Sequence, residues 1–116
     1  MDVRKLIKSF GFAFYGILTA LQEQNMRIHF LSALVVIIAG LLTGLSYTEW
    51  LIITVIIALV IGAEMINTAI ESVVDLASPE LHPLAKQAKD VAAGAVLVFA
   101  IASVIIGLLI FLPKWA

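Results

Sequence analysis

The stretch WLIITVIIALVIGAEMINTAIESVVD, Trp50 to Asp75, begins as sequence suited to lipid and ends as an acidic helix. Trp50–Ala63 is uncharged but too short to cross a hydrocarbon core of about 30 Å by itself. Nothing after Gly62 breaks the helix before Ser78-Pro79, so one helix is expected to run from the bilayer into an acidic tail. At 100° per residue Glu64, Glu71 and Asp75 fall within about 40° of one another, flanked by Asn67 and Thr68. The acids therefore form a stripe. Glu64 lies about 20 Å along the helix from Trp50, inside the bilayer edge, and Glu71 about 10 Å further, near the interface. Asp75 belongs in water.

Outward from this stretch the chain divides into apolar blocks. It has 116 residues, of which 63% are hydrophobic and 13% charged, with no cysteine. No residue from Ile28 to Tyr47, nor from Val91 to Pro113, carries a charge. Runs of about twenty residues suffice to cross a bilayer. The expected fold is an all-α integral membrane protein with one domain over residues 1-116, an N-terminal amphipathic surface helix (3-24) and transmembrane spans at about 28-48, 50-76 and 91-112. In the surface helix Val3, Leu6, Ile7, Phe10, Phe14, Ile17, Leu18 and Leu21 recur at helical spacing, with Arg4, Lys5 and Lys8 on the other face. A loop or short helix, with Pro83 suited to a first turn, precedes the third span. A cleavable signal peptide is not expected, since the first long apolar run begins after Arg27 and no small-residue cleavage site follows a short one.

Arg4, Lys5, Lys8 and Arg27 precede the first span, and Lys86 and Lys89 lie between the second and third. The first turn has no base and the C-terminal tail has only Lys114. The positive-inside rule then puts the N-terminus and the 78–90 loop in the cytoplasm, with Tyr47, Trp50 and Trp115 at the outer interface.

A carboxylate in hydrocarbon is costly by at least about 2.5 kcal/mol, so Glu64 must face protein. Pairing with Arg27 or a polar neighbour merely to hold the bundle is the structural alternative to a catalytic role. Glu71 and Asp75 weigh against it, because they extend the same face with few bases nearby. Glu23, before the first span, shares the depth of Glu71, and two carboxylates there suit Mg²⁺ while leaving room for phosphate oxygens. Lys89 could neutralise phosphate, and Asp90 could orient the lysine or accept from a sugar. No GxxxxGK[ST] or GxGxxG occurs, which excludes the P-loop and soluble-kinase designs. His29 reads as an interfacial polar residue and His82 as a turn residue, since the two are not at ligand spacing. The net charge of −1 says nothing about nucleic acid by itself, where the charges sit says more, and no nucleic-acid partner is expected.

EMINTAIESVVD, followed by AKDVAAGAVLV, resembles the signature of the prokaryotic diacylglycerol kinase family, and the resemblance covers nearly the whole chain. NMRIH and HPLAKQAKDVAAGAVL look more like its Gram-positive branch, whose members chiefly phosphorylate undecaprenol. The resemblance implies a homotrimer in the bacterial cytoplasmic membrane with sites between subunits, ATP as donor, Mg²⁺ as cofactor, and a lipid alcohol as acceptor, undecaprenol or else diacylglycerol. It implies Glu64 as general base and Glu23 and Glu71 as ligands of the Mg²⁺ on ATP. Nucleotide contacts are implied for Lys5 (or Arg4, given a one-residue gap), Glu23, Glu71, Asp75, Glu80, Leu81, His82, Lys89 and Asp90. Lipid contacts are implied for Glu64, Asn67 and Ala93. Phe12 and Tyr15 stand where the family often has tyrosine and lysine, a departure that bears on nucleotide contacts from this helix. A small ion-coupled transporter, with Glu64 as its translocation carboxylate, is the rival from another class, and a structural membrane subunit a third.

Overall fold

A computed structural model describes residues 1–116 as four helices: α1 (Val3–Ala20), α2 (Gln24–Thr43), α3 (Tyr47–Ala77) and α4 (Pro83–Trp115). The last three are each long and apolar enough to cross a membrane, as a multi-pass membrane protein requires.

Helix α1 starts where the Asp2 carboxylate accepts from the Arg4 and Lys5 amides, at 3.0 and 3.3 Å. It ends at Ala20, short of the expected residue 24. The reason lies in the next helix. Arg27 Nε and Nη2 donate to the carbonyls of Leu21 and Gln22, at 3.0 and 2.8 Å. Those carbonyls would otherwise continue the helix ladder or meet only water. Glu23 then takes an extended conformation as the residue before α2, which separates α1 from α2. Phe10, Phe14 and Leu18 stay exposed within this chain, as a membrane-surface helix would leave them.

Helix α2 closes at Gly44, whose φ of +80° is a left-handed conformation that glycine adopts without a Cβ penalty. Ser46 and Glu49 open α3 as a reciprocal capping box, with bonds of 3.2 and 2.9 Å. At 31 residues α3 is about 46 Å long, some 16 Å more than the hydrocarbon needs. The excess is the acidic end. Helix α4 begins at Pro83, capped by His82 Nδ1, which accepts from the Leu84 amide at 3.1 Å. The segment before Val91 is thus neither a loop nor a separate helix but the first turns of α4. Lys86, Lys89 and Asp90 sit on this rigid element, and only residues 78–82 are loop.

Helices α3 and α4 pack most extensively, and α2 lies against α3. The core proper, Ile53, Ile110 and Phe111 with Val36, Ala39 and Leu45 against it, sits at the end away from the acids. There Trp115 Nε1 donates to Thr43 Oγ1 at 3.0 Å, and Lys114 pairs with Glu49 at 3.0 Å. Only 12 of 116 residues are buried. A chain this apolar with so little interior must have its faces covered by lipid or by other chains.

Candidate active site

Along α3 the buried positions are Ile53, Ile56, Val60, Glu64 and Asn67. The first three are aliphatic and the last two polar, so the inward face of the helix changes character at Glu64. The Glu64 side chain is 5% exposed. It needs a polar partner because an uncompensated charge cannot stay in such a place. That partner is His29 on α2, whose Nε2 stands 3.6 Å from Glu64 Oε2. Arg27, the partner considered from sequence, is engaged with the carbonyls after α1 and is not paired with Glu64.

One turn further Asn67 Nδ2 donates to Glu71 Oε1 at 3.1 Å, the i,i+4 arrangement that helical spacing favours. This leaves Asn67 Oδ1 buried without a partner. A native buried acceptor is rarely orphaned, so it marks a place where another group is expected. Glu23, before α2, is exposed, and both it and Glu71 lie within electrostatic range of Glu64. Neither is paired with a lysine or arginine.

Near the C-terminal end of α3, Lys89 of α4 forms an ion pair with Asp75, bridging the two helices. Lys86 and Asp90 pair along α4 at 2.5 Å. One chain thus gathers Glu64, Asn67, Glu71, Glu23 and the Asp75–Lys89 pair around the C-terminal half of α3. It does not gather the rest. Lys5 is exposed on α1, Glu80 and Leu81 lie exposed in the loop with the Glu80 carbonyl accepting from Ser78, and His82 is occupied as a cap. Ala93 faces outward, whereas Ala92 and Ala95 line a small depression with Asn67, Gly62 and Ala63.

The residue missed in the sequence reading is His29. Its signal was available: it is the first titratable group inside an otherwise uncharged span, at a depth where polar side chains carry a cost. Next to it an apolar groove of about 400 Å³ runs away from the acids between α2, α3 and α4. Ile28, Val36, Ile56, Val60 and Val104 line it, with His29 at one end and Gly107 toward the other.

Glu23 and Glu71 fit a divalent cation in chemistry, being hard oxygen donors without a neutralising base. No group of three metal-binding side chains exists in the chain. A cation held here would take its remaining ligands from the substrate or water.

Residues 11–111 match the model of the family described as prokaryotic diacylglycerol kinase. Among curated proteins the chain is 52% identical over 114 residues to an undecaprenol kinase of Bacillus subtilis, covering 97% of this chain and 93% of that protein. It is 44% identical over 110 residues to a diacylglycerol kinase of Synechocystis, covering 93% of this chain and 63% of that one. A diacylglycerol kinase of Escherichia coli is 36% identical over 103 residues, covering 87% and 84%.

Proposed function

This chain belongs to the prokaryotic diacylglycerol kinase family and is a membrane lipid kinase, and we propose that it transfers the γ-phosphoryl group of ATP to undecaprenol. The observation that carries the reading is the buried Glu64, one turn from an apolar groove on one side and one turn from the Asn67–Glu71 pair on the other. A lipid alcohol presents its hydroxyl just beneath the headgroups, while ATP arrives from water. Glu64 is at the depth of the first and Glu71 at the depth of the second.

In this reading the isoprenoid chain follows the groove and the hydroxyl meets Glu64. The carboxylate accepts the hydroxyl proton as the oxygen attacks the γ-phosphorus, and the bond to ADP breaks on the opposite side. Glu23 and Glu71 would hold Mg²⁺ on the nucleotide, where it neutralises phosphate charge. Lys89 exchanges Asp75 for a phosphate oxygen, and Asp90 steadies the nucleotide or the lysine. Asn67 keeps Glu71 aimed and offers its free Oδ1 to the acceptor hydroxyl or a water. Catalysis of this kind is positioning and electrostatic neutralisation.

Undecaprenol is preferred as acceptor because the relative that is 52% identical along nearly all of both chains carries that name. Diacylglycerol is the competing acceptor, named for relatives at 44% and 36% identity. A transport function lacks support in the geometry: beyond Glu64 the buried face of α3 continues as Val60, Ile56 and Ile53, with no polar path across.

The N-terminus, the 78–82 loop and the start of α4 are assigned to the cytoplasm on the distribution of lysine and arginine. A homotrimer is supported by the sparse interior and by site residues that one chain leaves apart, Lys5 and Glu80–His82 among them. The test is phosphate transfer from labelled ATP in bilayer discs containing either lipid. Glu64→Gln should abolish labelling, and preference for undecaprenol over diacylglycerol should exceed about tenfold in kcat/KM. Labelling by the Glu64→Gln chain would sink the assignment of the base, and preference for diacylglycerol the assignment of the acceptor.

A further inference from the structure

A base that must accept a proton at one carboxylate oxygen needs its other oxygen held. Glu64 has Asn67 near it on its own helix, but the Asn67 amide is spent on Glu71. No lysine or arginine is at hand: Arg27 caps the turn after α1, Lys86 pairs with Asp90, Lys89 with Asp75, and Lys114 with Glu49 at the far end. The titratable groups in range of Glu64 are His29 on α2, Glu71 on α3 and Glu23 at the start of α2; α1 and α4 contribute none. His29 is the only one able to attract the carboxylate. Its side chain is 19% exposed, so it is largely sheltered yet reachable from outside the chain.

We propose that His29 is a positioning residue for Glu64, holding carboxylate Oε2 across the α2–α3 contact so that Oε1 is presented to the acceptor hydroxyl at the mouth of the groove. The separation of 3.6 Å between Nε2 and Oε2 is slightly longer than a hydrogen bond. Catalytic contacts of this sort commonly shorten when substrate is bound. His29 also lines the groove, between Ile28 and Ser32, so a chain entering there touches the same imidazole that faces the carboxylate. Occupancy of the groove and orientation of the base are thereby linked through one side chain.

The inference rests on Glu64 as the base, and one set of variants separates the two. Wild type, Glu64→Gln, His29→Ala, His29→Gln and His29→Phe are assembled in bilayer discs with undecaprenol, and kcat and KM are measured for lipid and for MgATP. His29→Ala should lower kcat about tenfold or more while KM for MgATP stays within about twofold, the response to a misplaced catalytic group. Glutamine carries an amide nitrogen about as far from the backbone as imidazole Nε2. His29→Gln should therefore recover to within about threefold of wild type, and His29→Phe should not. A structural role would make Phe, which fills the space, the better substitute.

Wild-type kcat in His29→Ala, or His29→Gln no better than His29→Phe, overturns the proposal. If the alanine chain does not assemble, the comparison of Gln with Phe decides alone. An inactive Glu64→Gln beside a fully active His29→Ala removes only the role of His29. An active Glu64→Gln removes the base assignment itself.

Discussion

Replacing Arg27 by alanine removes two hydrogen bonds from a charged donor, to the carbonyls of Leu21 and Gln22. Hydrogen bonds to charged groups contribute about 1.5–3 kcal/mol when sheltered, and these are exposed, so about 1 kcal/mol each is the appropriate scale. The pair therefore holds the turn by about 2 kcal/mol, equivalent to about thirtyfold in population. The next residue along that turn is Glu23, whose backbone must be extended for α2 to start where it does. A loosened turn should displace Glu23 without disturbing Glu64, which is anchored on α3. Arg27→Ala should accordingly raise KM for MgATP by about ten- to thirtyfold and leave KM for the lipid nearly unchanged. Hydrogen exchange at residues 21–23 should accelerate by a similar factor. Lysine has one compact donor group and cannot serve both carbonyls with a planar fork, so Arg27→Lys should fall between. An unchanged KM for MgATP in Arg27→Ala would refute the reasoning, and with it the view that this turn sets the position of Glu23.

Glu23→Gln and Glu71→Gln should each raise the Mg²⁺ concentration needed for half-maximal phosphorylation about tenfold or more, with activity partly regained at high Mg²⁺; chelation should silence every variant. Lys89→Ala should raise KM for MgATP about tenfold while thermal stability in detergent shifts little, because its pair with Asp75 is largely exposed and such pairs contribute under about 1 kcal/mol. At Gly40 an added Cβ would lie 2.7 Å from the Trp50 ring and 2.9 Å from Leu45. Gly40→Val should cost about 1–3 kcal/mol by overpacking, seen as a lowered Tm, whereas the same change at Gly107, with open space around it, should be nearly silent.

The reading of Trp50–Asp75 succeeded because it depends on quantities local to the chain. Hydropathy and length fix which segments suit a bilayer, and a 3.6-residue period fixes which side chains share a face. Glu64, Asn67 and Glu71 therefore lie where their spacing puts them. Pro83 as a first-turn residue was legible for the same reason. What could not be read was whether the turns before Val91 joined the span, since that depends on packing of α4 against α3.

Partners across helices are another matter. Arg27 could equally have faced Glu64 from one turn inside the first span, and only the path of the chain through residues 21–23 sends its guanidinium back to the end of α1. His29, two residues on, faces the carboxylate that Arg27 leaves unpaired. Lys89 meets Asp75 because α4 runs continuously from Pro83 and brings its second turn level with the end of α3. The amino-acid sequence by itself determined three helices long and apolar enough to cross a membrane and an acidic stripe along one of them, because each follows from the geometry of one helix. The tertiary structure alone decided which base answers which acid, because that choice is made by the angle and register between helices, which no single segment contains.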